Sequence, residues 1–146
     1  MSNRILVKDK EPNAFKAMMS LENYCQSTPI SPILKELIKI RASQLNGCTY
    51  CLDMHTEDAI NKGESSRRIY LLSAWKECPL FTEEEKVALQ LTEEITHISQ
   101  NGVSENTYQQ TIHFFGEQTT AQLIMLIVTI NAWNRISIAS NAVYKP

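Results

Sequence analysis

Residues 36–55 hold a turn signal, Asn46-Gly47, between two segments whose apolar residues recur at helical spacing, and nothing else constrains the chain as much. The turn closes one helix and opens the next. A helix over about 48–61 places Cys48, Cys51 and His55 at i, i+3 and i+7 on one face, together with Leu52 and Ala59. That face looks inward, while Tyr50, Asp53, Glu57 and Asn61 point the other way. Two thiols and an imidazole therefore converge on one buried or half-buried surface. Glu36 lies on the preceding helix, at the edge of an apolar stripe beside Ile33 and Ile40.

The spacing suits redox chemistry. A thiol becomes a good nucleophile as its thiolate, and the first turn of a helix favours negative charge through its unpaired N–H groups. Cys48 and Cys51 occupy that turn. An imidazole one turn beyond Cys51 can take its proton or stabilise the thiolate. A second thiol in reach captures a sulfenic acid as a disulfide before further oxidation. Glu36 is the candidate third group, orienting His55 or relaying its proton. Two other readings use the same residues. Cys48, Cys51 and His55 can be three zinc ligands, with Glu36, His97, His113, Cys25 or Cys78 as the fourth, none at a recognisable spacing. Alternatively the cysteines and histidine simply pack against a neighbouring helix.

Helical periodicity extends over the rest of the chain, and only four glycines and no alternating apolar–polar run argue against a sheet. After a short extended arm through Val7, a helix over about 14–25 carries Phe15, Met18, Met19 and Tyr24, within reach of the active-site region, although a stripe of this kind is core more often than substrate pocket. Ser31-Pro32 is an N-cap followed by proline at the first helical position, opening a helix over about 32–45. Arg41 on that helix either pairs with a carboxylate or snorkels at the rim, and snorkelling is the commoner case. Ser65 or Ser66 caps a short helix to about 74, where Arg67 and Arg68 read as a solvated face. Thr82 to Glu85 reads as a capping box opening a helix over about 82–99, and Ser104 caps another over about 104–115. A last helix from 119 or 120 is apolar nearly all round from Leu123 to Ile130, so it is buried in the domain or against another subunit. Asn131, Asn134 and Arg135 interrupt it too soon for a membrane span. The expected fold is one all-α domain of six or seven helices over residues 1–146. His97 and His113 read as packed or surface residues, and Cys25 and Cys78 as packing residues.

Glu36 followed by Cys48-Thr49-Tyr50-Cys51-Leu52-Asp53-Met54-His55 resembles the core motif of the AhpD-like (alkyl hydroperoxidase D-like) proteins of the carboxymuconolactone decarboxylase family. Downstream, Asn131-Ala132-Trp133-Asn134-Arg135 resembles a segment common in the same family, and the likeness runs over roughly residues 10–142. The resemblance implies that Cys51 attacks a peroxide, that Cys48 resolves the product as a disulfide, and that His55 and Glu36 belong to the proton relay. It implies a cofactor-free thiol peroxidase or disulfide reductase acting on a hydroperoxide, re-reduced by an external dithiol of thioredoxin or lipoyl type. A homo-oligomer, trimer or hexamer, is implied as well. The founding enzymes have a second histidine just before the second cysteine, where this chain has Tyr50. The alternatives are a lactone decarboxylase, as the wider family name suggests, and a non-catalytic redox sensor.

Charge and composition narrow the remaining classes. A net charge of −2 offers no electrostatic footprint for nucleic acid, and no basic amphipathic segment suits an anionic membrane. Residues 1–10 are mixed and charged, without the apolar core of a signal peptide, so a cytoplasmic protein is expected. There, cysteines stay reduced unless a pair is redox-active.

Overall fold

The computed structural model describes residues 4–142, which form an all-α domain of eight helices among those residues. They are α1 (Val7–Lys10), α2 (Pro12–Ser27), α3 (Pro32–Asn46), α4 (Thr49–Asn61), α5 (Ser66–Leu71), α6 (Glu83–Thr96), α7 (Ile98–Asn101) and α8 (Glu105–Ala139), with a 3-10 turn at Leu72–Ala74. Two of the eight, α1 and α7, are single turns. The extended arm expected through Val7 gives way to α1, which starts at that residue.

Helix α3 is the axis. Ser31 caps it by accepting from the Leu34 N–H, Pro32 occupies its first turn, and Gly47 ends it in the left-handed region at φ 69°. Its apolar residues divide between two clusters. Leu34 and Ile38 pack with Leu91 of α6 and with Leu123, Leu126 and Ile127 of α8. Leu37 and Ile40 pack on the other side with Ala59 of α4, Ile69, Leu72, Trp75 and Phe81. Burying each such large side chain stabilises the fold by about 1.5–3 kcal/mol, so α3 is held from both sides. Its polar residues are buried too, Lys35, Glu36, Lys39 and Ser43 among them, and each has a hydrogen-bond partner.

The caps read from the sequence are present. Thr82 and Glu85 exchange the two bonds of a capping box at α6, Ser65 caps α5, and Ser104 caps α8. Gly116 adopts φ 74° and ψ 169° within α8, so this element is two helical segments meeting at a glycine, as the sequence implies near 116–119. The C-terminal segment is less enclosed than its composition suggests. Leu123, Leu126, Ile127 and Ile130 are buried, but Met125, Val128 and Ile138 lie exposed. By length and composition α8 passes as a membrane span, yet its place is against α2, α3 and α6.

Two arginines depart from expectation because each meets a glutamate of α6, Glu93 for Arg41 and Glu85 for Arg68. Arg41 does not snorkel. It is bound at 2.9 Å to Glu93 of α6, which also accepts from the Trp75 indole. Arg68 is no solvated residue either: it bonds Glu64 and Glu85 and lies over the Phe81 ring.

Candidate functional site

The Asn46-Gly47 turn sets the start of α4 beside α8. Asn46 donates from one side-chain nitrogen to Asn131 and Asn134 of α8, and Asn134 donates to Ser43 of α3. Arg135 in turn donates to Asn131. The downstream Asn-x-Trp-Asn-Arg segment thus fastens α8 to the end of α3 and to the turn that leads into the cysteine pair.

Cys48 is the N-cap residue of α4, its sulfur accepting from the Cys51 N–H at 3.4 Å. The Cys48 and Cys51 sulfurs lie at disulfide distance, with their Cα atoms 5.4 Å apart, and both residues are buried. Cys51 lines a cavity of about 680 Å³ bordered by residues of α1, α2, α3, α4 and α8, whereas Cys48 does not reach it. His55, one helical turn beyond Cys51, lines the same cavity.

Behind His55 sits Glu36, 1% exposed, whose Oε2 is 3.0 Å from His55 Nδ1. Its other oxygen accepts from the Lys62 ammonium. Burial raises the pKa of this carboxyl, but the hydrogen bonds from His55 and Lys62, with the Lys39 charge, outweigh that and hold it at about 2. A carboxylate can only accept, so the hydrogen between the two groups belongs to His55 Nδ1. Nε2 of the neutral ring is then the free, proton-accepting nitrogen. Of the two roles open to Glu36 in the sequence, orienting His55 fits this geometry.

The structure therefore brings Glu36, Cys48, Cys51 and His55 together. It does not bring in the other titratable candidates. Cys25 packs in the core within 3.5 Å of Thr129 Oγ1, and Cys78 is buried beside Trp75 and Phe81. His97 ends α6, and His113 stacks edge-on against Phe114. Glu36, His55 and Asp58 offer donor atoms within 4.8 Å of one another, a grouping that excludes both cysteines. Lys62 already occupies Glu36 there.

Several residues at the site escaped the sequence reading. Tyr50, turned away from the thiols on a helix wheel, lines the cavity at 45% exposure, because the cavity mouth spans more of the first turn of α4 than the thiol face. Phe15 and Met19 line it too, which moves them from expected core to cavity wall, while Tyr24 is exposed. Lys62 was legible in principle, since it continues the stripe of Cys51, His55 and Asp58 at helical spacing. Lys39 likewise follows Glu36 by three residues on α3. Its partner Glu22 on α2, at 2.7 Å, had no local signal.

The sequence model of the Carboxymuconolactone decarboxylase family matches residues 12–94. The chain is 45% identical over 139 residues to the uncharacterized protein YdfG of Bacillus subtilis, covering 95% of each chain. Among solved structures it is similar to a protein of unknown function from Agrobacterium tumefaciens whose description proposes an antioxidant defence protein AhpD. The two share 34% identity at a TM-score of 0.95, over 99% of each chain. The debrominase Bmp8 shares the fold at a TM-score of 0.80 and 17% identity, over 94% of this chain and 74% of that one.

Proposed function

Because this chain belongs to the carboxymuconolactone decarboxylase family and is AhpD-like within it, we propose that it is a cofactor-free, thiol-dependent reductase of organic hydroperoxides. The observation that carries the reading is the division of labour at the start of α4. Cys51 opens on the cavity beside His55, and Cys48 stands behind it within bonding distance. Position near the helix start alone favours Cys48 as the thiolate. Access to the cavity favours Cys51 as the attacking group.

The chemistry balances with these residues. His55 Nε2 takes the Cys51 proton, and the thiolate attacks the outer oxygen of ROOH. The O–O bond breaks, leaving a Cys51 sulfenic acid and RO⁻, which recovers the proton from His55 as ROH. The Cys48 thiol displaces water from the sulfenic acid and forms the Cys48–Cys51 disulfide. An external dithiol of thioredoxin or lipoyl type reduces that bond by exchange and leaves oxidised. Glu36 holds the imidazole in the required tautomer, and Lys62 keeps Glu36 ionised. A cysteine pair with Cys51 at the cavity favours this reading over lactone decarboxylation, and a cavity of substrate size favours it over a sensor that only switches packing. The homo-oligomer belongs to the proposal too, with Met125 and Val128 of α8 as exposed apolar candidates for the contact.

The test is intact and peptide mass spectrometry of reduced protein after one equivalent of tert-butyl hydroperoxide. A single Cys48–Cys51 disulfide is expected, with Cys25 and Cys78 still open to alkylation after denaturation. Cys51→Ser should abolish peroxide consumption. If both motif thiols remain reduced, the reading fails.

A further inference from the structure

The cavity has a second polar feature, apart from the cysteines and His55. Lys39 lines it although its side chain is only 2% exposed, and its ammonium makes one hydrogen bond among the described residues, to Glu22 Oε1. Lys35, one turn earlier on α3 and similarly buried, is anchored differently. It donates to two backbone carbonyls, those of Gln26 and Thr28. An ammonium has three donors, so Lys39 retains two that no described side chain or carbonyl takes up. Leaving donors unmet in a buried place costs free energy that a ligand acceptor can recover.

Glu22 has the complementary character. It accepts from Lys39 and Gln26 at Oε1 and from the Trp133 indole at Oε2. Oε2, with a single donor, has a lone pair to spare. The walls next to this pair are hydrocarbon: Phe15 meets Trp133 edge-on with ring centroids 5.5 Å apart, and Met19, Met54 and Ile136 line the same space.

We propose that Lys39 and Glu22 form a recognition subsite for the head of an uncharged amphipathic molecule, a head that accepts from Lys39 and donates to Glu22. The body of that molecule, aromatic or branched hydrocarbon, rests on Phe15, Met19 and Trp133. An anionic head meets the Glu22 carboxylate and a cationic head meets the Lys39 ammonium, so the ion pair selects against both. A site built to bond a head group discriminates strongly, because a mismatched ligand leaves its buried polar groups unpaired. In naming a substrate class, the inference rests on the reading of this cavity as the place where substrate meets Cys51. Lys39 and Glu22 themselves are specificity residues, not catalytic ones.

The test measures binding to the disulfide form, where no turnover occurs, so its result is separate from that of the peroxide reaction. Phenylacetamide, phenylacetate and phenethylamine present a similar body with a neutral, an anionic and a cationic head. Each is titrated by calorimetry and by tryptophan fluorescence. The amide is expected to bind at least about tenfold more tightly than either charged compound, and Lys39→Met should weaken the amide by about tenfold. Should Lys39→Met unfold the protein by stranding Glu22, the double variant Lys39→Met/Glu22→Gln removes both charges together. It is expected to keep the helical circular dichroism and to lose the preference for the neutral head. Equal binding of a charged compound by the wild type overturns the proposal, as does no binding of any of the three. An amide affinity unchanged in the folded single or double variant overturns it as well.

Discussion

His55 Nδ1 lies 3.0 Å from Glu36 Oε2, and the other oxygen of that carboxylate is held by Lys62. An imidazole bonded in this way to a buried anion has its tautomer chosen for it, with Nε2 left as the base. The relationship links two helices, since Glu36 comes from the middle of α3 and His55 from α4.

Glu36→Gln tests that link. A glutamine offers an N–H as readily as a carbonyl to Nδ1, so the ring is no longer held in one tautomer. Peroxide consumption should fall by about a hundredfold in kcat, the usual scale of a lost acid–base contribution, with KM changed little. Steady-state kinetics with tert-butyl hydroperoxide checks this. An unchanged kcat would show that the carboxylate does not govern the histidine.

The same carboxyl couples stability to pH. Its folded pKa of about 2 lies below its ordinary 4.5, so the unfolded chain binds the proton more readily. The stabilisation is therefore fully present above pH 4.5 and is lost as pH falls from there through about 2. It amounts to a few kcal/mol, on the order of 3, by linkage. Urea unfolding between pH 3 and about 7 should show stability falling below 4.5 more steeply in the wild type than in Glu36→Gln. Parallel pH profiles would contradict the assignment.

Asn134 is fully buried, donating to Ser43 and accepting from Asn46. Asn134→Ala removes one buried hydrogen bond from each partner, leaving Asn46 with Asn131 and Ser43 with the Lys39 carbonyl, and should destabilise the protein by about 1–3 kcal/mol. Chemical denaturation measures the loss. Because Asn46 adjoins the turn before Cys48, hydrogen exchange at residues 47–51 should quicken in the variant. Exchange unaltered there would show that the asparagine cluster does not steady the cysteine pair.

Gly116 has open space where a Cβ would stand, so any cost of substitution there comes from the backbone. At φ 74° and ψ 169° the conformation is one that side-chain-bearing residues avoid. Gly116→Ala should destabilise by about 1–3 kcal/mol, read as a lowered Tm. A neutral or stabilising result would mean that the two segments of α8 can join as one regular helix.

Ser31-Pro32, Thr82 with Glu85, and Ser104 stood out in the sequence because capping is local: the donor and its acceptor are three residues apart. Cys48, Cys51 and His55 were legible for the same reason, lying on one helix at fixed angular steps. Glu36 was a candidate third group from the sequence, but only the family resemblance gave it weight, since nothing within α3 marks it as the residue facing His55. The bonds of Arg41 to Glu93, Arg68 to Glu85, and Glu22 to Lys39 and Trp133 had no local signal, because these partners lie 17 to 111 residues apart. No window along the chain contains such pairs.

By itself the sequence determined the all-α class, the helix starts and the stripe that carries the two thiols and the imidazole, because these depend on backbone hydrogen bonding and on periods of a few residues. Tertiary structure alone decided which thiol opens on the cavity, that Tyr50 joins its wall, and that Lys39 and Glu22 meet inside it. The cavity is the space left between α1, α2, α4, α8 and the Lys39 face of α3 once α3 has been packed from both sides. Its lining is a property of how the helices dock, and that is set by contacts between residues far apart in the chain.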